Sequence, residues 1–299
     1  MATGVYGGDG GAVGDGSAAL AAIGEWSVSV KGEPGAIVDS ATVKATTRAS
    51  GPKSWTGRYR ANGGIPYPLL FPVFGFVGSI DGANGLTGSA VFDSIKIDWD
   101  IAGGKPLSHE VAFTGNGALS MGAAVAVDAA VQAAQSSQIA VPVNLATPDD
   151  PTSGQTWIPL PQILTMSLEF KRANTQYFDS SSLPWKGTKA GPLDCSLSIK
   201  LHPDSVLATT ALSALPQPND VMGVQMFVDD TLYYELNWMM FSDLTDVLVN
   251  RATQEAVAAT LNAAMCGIYL IGGTDVSGSL AGPATVPIDI WSVPVPVPP

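Results

Sequence analysis

Residues 89–120 read SAVFDSIKIDWDIAGGKPLSHEVAFTGNGALS, and this block decides the fold class. Ala90, Phe92, Ser94, Lys96, Asp98 and Asp100 share one face of an extended chain. Val91, Ile95, Ile97, Trp99 and Ile101 mostly take the other. A period of two is the mark of a half-buried strand. Ala102-Gly103-Gly104-Lys105-Pro106 supplies the turn, so the block predicts a β-hairpin. A second block, VQMFVDDTLYYELNWMM at 224–240, has the same character and turns at Asp229-Asp230. The chain states one architectural idea twice.

Working outward, strand signals recur on both sides of the first hairpin. Trp26-Ser27-Val28-Ser29-Val30 alternates cleanly, 37–47 is rich in β-branched residues, and Trp55, Gly57 and Tyr59 alternate with Thr56, Arg58 and Arg60. Residues 65–78 (IPYPLLFPVFGFVG) hold four aromatics among three prolines, which excludes a long helix. They predict an extended apolar loop, packed on a neighbouring surface or folded as a flap over the core. Residues 121–138 permit a helix or an extended connector, and the Pro/Asp/Ser/Thr/Gly cluster at 141–154 reads as a linker. Further strands are predicted at 163–170 and 194–201, the latter burying Cys195, Leu197, Ile199 and Leu201. Asp204 is placed to cap a short helix running to Ala214. Residues 253–267 fit helix and strand equally.

This gives a mainly β reading in five parts: a flexible Gly-rich N-terminal arm (1–23), a first β domain (24–120), a connector (121–157), a second β domain (158–272) and a Pro-rich C-terminal arm (273–299). Each of the two domains is expected to be mainly β. The Val-Pro repeats at the C-terminus predict a polyproline II arm.

Composition bounds the function. The chain has 299 residues, enough for two domains with real cores. It is 46% hydrophobic and only 13% charged, where soluble domains carry about a quarter charged residues. Mean hydropathy is +0.23. A monomer has to cover its surface with polar groups, so this composition favours a subunit covered by other chains. No apolar stretch reaches the ~20 uninterrupted residues that a spanning helix needs. The first residues show no basic region followed by an apolar one, so cytosolic synthesis is expected.

Net charge is −12, with 14 Lys/Arg against 26 Asp/Glu. That balance opposes tight binding to phosphate backbones, which depends on Lys and Arg. It suits a surface past which nucleic acid moves without sticking.

Motifs for chemistry are few. The N-terminal glycines fit neither dinucleotide nor phosphate-loop spacing. The two histidines, His109 and His202, lack a nucleophile elbow and an orienting acid. Asp98 with Asp100, and Asp229 with Asp230, are paired carboxylates of the kind that glycosidases and cation sites use; a solvated strand face and a hairpin turn are the plainer readings. Cys195 and Cys266 lie far apart and read as buried thiols. No catalytic, cofactor or metal residue is assigned.

The residues that carry a resemblance are Ser54-Trp55-Thr56-Gly57-Arg58-Tyr59, the segment 88–100, and His109-Glu110-Val111-Ala112-Phe113-Thr114-Gly115-Asn116-Gly117. Together they resemble the tail tube proteins of long-tailed bacteriophages, and the second half resembles the same domain more loosely. The resemblance implies two tandem β-sandwich or barrel-like domains, each with a short flanking helix, that close side by side into rings, with rings stacked into a conduit for double-stranded DNA, and it implies a virion location. If both halves are such domains, trimers would make pseudo-hexameric rings. Lys96, Asp98, Asp100 and Glu235 would then line the lumen. Tyr67, Leu69, Leu70, Phe71, Phe74, Phe76 and Trp291 would contact neighbouring copies, and other tail proteins would be partners. Two readings stand beside it. One is another virion ring or decoration protein. The other is a carbohydrate-binding sandwich using Trp55, Trp99, Trp185 and Trp238 as stacking platforms.

Overall fold

The structure is a computed structural model. It describes residues 3–14, 19–33, 35–39, 44–49, 51–62, 66–69, 71, 73–100, 103–105, 107–124, 143–146, 158–160, 163–178, 184–201, 219, 221–227, 232–245, 249–250, 255–256, 259–265 and 288–292. Among these the chain is almost wholly strand, and one 3-10 turn, Tyr67–Leu69, is the only helical element. The first strands are β1 (Thr3–Gly14), β2 (Ala19–Gly32), β3 (Gly35–Asp39), β4 (Lys44–Ala49) and β5 (Lys53–Asn62). Next come β6 (Phe74–Ser79), β7 (Asn84–Asp100), β8 (Ser108–Ala123), β9 (Val143–Ala146) and β10 (Ile158–Pro159). Then follow β11 (Ile163–Arg172), β12 (Thr175–Tyr177), β13 (Gly187–Lys189), β14 (Leu193–Leu201) and β15 (Val221–Phe227). The last are β16 (Leu232–Thr245), β17 (Val249–Asn250), β18 (Glu255–Ala256), β19 (Ala259–Met265) and β20 (Ile288–Ser292).

The contacts divide the chain into two units that interleave in sequence. Unit 1 is residues 1–95, 109–133 and 171–192; unit 2 is 96–108, 134–170 and 193–299. This corrects the expected division into consecutive halves. The segment 171–192, expected in the second domain, belongs by its contacts to unit 1.

Unit 1 is a closed ring of six strands in the order β7–β6–β1–β2–β5–β8, with β8 pairing back onto β7. Closure satisfies both edges of a sheet, and a ring this small has an interior that side chains fill. Trp26, Trp55, Tyr59, Phe74, Phe76 and Phe113 are all buried in unit 1. Phe113 stands at the centre, its ring 5.0 Å from Phe76, 5.7 Å from Phe74 and 5.9 Å from Trp55. The Trp55 indole N–H donates to the Gly117 carbonyl at 2.9 Å. The glycines are the counterpart of these rings. A Cβ on Gly115 or Gly88 would run into the Trp55 indole, one on Gly78 into Trp26, and one on Gly57 into Phe113.

The same logic corrects the flexible N-terminal arm. Residues 3–14 form β1, paired with β2 from Thr3↔Lys31 to Gly14↔Ala19 and with β6 from Gly11↔Gly78 to Gly14↔Gly75. Ala12, Val13, Ala22 and Ile23 are core residues. Gly11 leaves room for the Val77 carbonyl of β6. Its lack of a side chain serves close packing, where composition alone suggested mobility.

The segment 171–192 is tied to unit 1 by polar bonds. The Asn174 side-chain amide donates to the Phe92 carbonyl and to Asp93 Oδ1, while Thr114 donates to Asp93 Oδ2. Thr188 donates its N–H to Asn116 Oδ1 and its hydroxyl to the Gly115 carbonyl. Lys186 pairs with Glu33 at 2.8 Å. The Arg172 guanidinium lies 4.7 Å over the Phe92 ring. This cover explains why Phe92 is buried although it shares a strand face with exposed Lys96.

Unit 2 runs β10–β9–β15–β16–β19–β14–β11, takes in residues 96–100 of β7, and carries β20 beside β16. The second predicted hairpin is β15–β16, with Phe227↔Tyr233 flanking its turn. Its core includes Ile97, Trp99, Leu168, Phe170, Ile199, Leu201, Val224, Met226, Leu236, Met239 and Phe241. Cys195, Leu197, Ile199 and Leu201 all point inward, as the alternation requires. The ambiguous 253–267 stretch is strand where described, in β18 and β19. Within the expected C-terminal arm, 288–292 is strand β20, paired with β16, and 293–299 lies outside the described residues. The predicted helical stretch Asp204–Ala214 also lies outside them, as does most of 121–138, whose first residues extend β8.

Candidate functional site

The alternation of β7 carries Lys96, Asp98 and Asp100 onto a solvent-facing surface of unit 2, opposite buried Ile97 and Trp99. Thr165 and Ser167 of β11 and Ser198 and Lys200 of β14 lie beside them in an open groove that Asp98 and Asp100 also line. Each carboxylate has a cation. Lys96 Nζ lies 3.1 Å from Asp98 Oδ1, and Lys105 Nζ lies 2.7 Å from Asp100 Oδ2. Asp100 also builds the turn, accepting the Gly103 N–H at 2.9 Å, while the Lys105 N–H reaches its main-chain carbonyl. The Lys105 hydrogen bond, then the Gly103 N–H, hold the Asp100 carboxyl below the usual carboxylate range.

The face expected to be acidic is therefore locally balanced: its two aspartates are matched by Lys96 and Lys105, with Lys200 close by. Glu235 does not join it. It lies on β16, four strands away through β11, β14 and β19, opposite Gln225 and Asp289 in register.

The expected neighbour-contact residues also separate. Phe74 and Phe76 are core residues of unit 1, and Tyr67 and Leu69 are buried in the 3-10 turn. Their aromatic and aliphatic surface is already spent inside the chain, so a role as exposed inter-subunit contacts is corrected to a core role. Phe71 is half-buried and stacks on Tyr67 with centroids 4.8 Å apart. Trp291 sits in β20 in register with Tyr233. Leu70 lies outside the described residues.

Of the four tryptophans considered as stacking platforms, Trp55 and Trp99 are 1% exposed and offer none, and Trp185 is half-buried with Lys53 Nζ 5.6 Å from its ring centroid. The Trp238 side chain, His202, Asp229 and Asp230 lie outside the described residues. His109 is buried edge-on to Tyr59, with ring centroids 6.1 Å apart. Burial, then the neighbouring Asp194, push the Cys195 thiol far up, which keeps it protonated and unreactive. Among the described residues no three His, Cys, Asp or Glu side chains come together as a metal site. No described helix is long and apolar enough to cross a membrane.

What sequence reasoning missed is a distribution. Unit 1 holds ten Lys/Arg and ten Asp/Glu; unit 2 holds four and sixteen, so the whole net charge of −12 belongs to unit 2. Counting by sequence halves hid this, because 171–192 brings Lys171, Arg172, Lys186 and Lys189 to unit 1. The exposed large apolar residues sort the other way. Among the described residues, Val5, Tyr6, Val73, Ile80, Met121, Tyr177 and Phe178 are in unit 1, and Met240 alone is in unit 2. No family model matches the chain, and no curated protein is significantly similar to it.

Proposed function

We propose that this chain is a structural virion protein that self-assembles into stacked rings, the tail tube through which a long-tailed phage ejects its DNA. The observation that carries the reading is the surface. Both units have filled cores, only 13% of residues are charged, and large apolar side chains still stand exposed on β1, β8 and the 171–192 segment. Such residues are normally covered when they mark an interaction site. The choice of a tail tube among assemblies comes from the resemblance of residues 54–59, 88–100 and 109–117.

The mechanism is mechanical and electrostatic. The interior of unit 1 is filled, so the conduit lies between copies. Trimers with two ring positions per chain would enclose it. The sixteen acids of unit 2 keep a DNA backbone from adhering. In light scattering of purified chain, the scattering mass is expected to climb with concentration past the 30.7 kDa monomer. A mass fixed at the monomer value over the whole accessible range would refute the proposal.

A further inference from the structure

We infer that the edge of β1 left open among the described residues, from Thr3 to Gly7, is the docking edge for a second copy of this chain, and that unit 1 carries self-association while acidic unit 2 is kept apart from its like. This deepens the assembly reading above and rests on it.

The edge follows from register. β2 covers one side of β1 along its whole length, but β6 covers the other side only from Gly11 to Gly14. Beyond that ladder the Ser79 carbonyl of β6 still lies against Gly8, and Gly10 takes a φ of 88°, so among the described residues Thr3–Gly7 is the stretch that pairs on one side alone. An unpaired strand edge is a template for another strand, and proteins that remain monomeric blunt such edges with charges, Pro, a bulge or a covering loop. This edge reads TGVYG, with neither a charge nor a Pro. Val5 is 73% exposed and Tyr6 44%, so apolar side chains accompany the open backbone.

The occupant follows from charge. Two copies of unit 1 meet with no net repulsion, since each is neutral; two copies of unit 2 each bring −12. A strongly basic or acidic foreign partner would find no net charge on unit 1 to select it. A second copy brings a neutral, apolar-bearing strand of matching kind. Main-chain hydrogen bonds then give affinity, and the alternating side chains give specificity.

The test compares the full chain with Val5→Lys and with Met240→Lys, by sedimentation velocity over a concentration series. Both positions are exposed, so thermal melts of the variants should overlay the parent. Val5→Lys is expected to raise the concentration of half-assembly at least tenfold, and Met240→Lys to leave it within twofold. Hydrogen exchange gives an independent reading: amides of residues 3–7 should become protected on assembly. If the parent assembles and Val5→Lys assembles equally, with exchange at 3–7 unchanged, this inference falls and the assembly proposal survives. If the parent stays monomeric throughout, both fall. If the parent forms only closed dimers and Val5→Lys abolishes them, the docking edge stands and the tube does not.

Discussion

Glycine and aspartate carry more of this fold than their small side chains suggest. Gly115 faces the Trp55 indole so closely that a methyl group there overlaps the ring. Forcing extra volume into a filled core costs on the order of 1–3 kcal/mol. Gly115→Ala should therefore lower stability by about that amount in urea titrations, whereas Gly82→Ala, where a Cβ meets nothing, should not. Asp81 and Asp100 show the second device. Asp81 accepts the Asn84 side-chain amide and the Ala83 and Asn84 N–H groups, and its pKa is lowered in that order of cause. Asp100 is lowered by Lys105 and Gly103. A depressed folded value means that each turn's stabilisation is complete above the unfolded carboxylate pKa and is lost as pH falls through the lower folded one. Carboxyl carbon shifts followed by NMR should place both midpoints below those of an unstructured peptide; midpoints at the peptide value would remove the argument. Asp98 and Asp100 were legible as a strand face from alternation alone. Their lysine partners were not, because the turn places Lys105 in space.

At the level of elements, the strongest periodicities were read correctly and the glycine-rich ones were not. The hairpins β7–β8 and β15–β16 follow from their alternating stretches, of which Ile95 to Asp100 is the clearest. Strand β1 has glycine where alternation would put side chains, and so resembled a flexible arm. In the folded chain those positions are occupied by neighbouring carbonyls and by Trp26. Deleting residues 1–14 removes the strand between β2 and β6, so the truncated chain should lose the cooperative unfolding of unit 1; a melt matching the intact chain would restore the arm reading. The 171–192 segment depends on a few polar anchors. Asn174→Ala removes its amide's bonds to Phe92 and Asp93 and strips Gly191 of an acceptor. Exchange of amides in β12 and β13 should then accelerate severalfold, while amides of β2 and β5 hold their rates.

For the whole molecule, composition pointed to a covered surface; among the described residues, exposed large apolar side chains lie in unit 1 apart from Met240, and the net charge lies in unit 2. The interleaving of the units could not be read from the chain in order. A linker-like stretch near 141–154 marks a change of composition, whereas the contacts exchange segments at residues 95, 108, 133, 170 and 192. The 65–78 stretch stayed open between two readings for a related reason. Its aromatics suit a docking loop and a core equally, and only the ring of strands around Phe74 and Phe76 decides between them. The central claim is that this chain builds a tube, and negative-stain electron microscopy of the purified protein at assembling concentration tests it most directly. Filaments of stacked rings with an open axial channel are predicted. A field of uniform single particles, without rings or stacks, would contradict it.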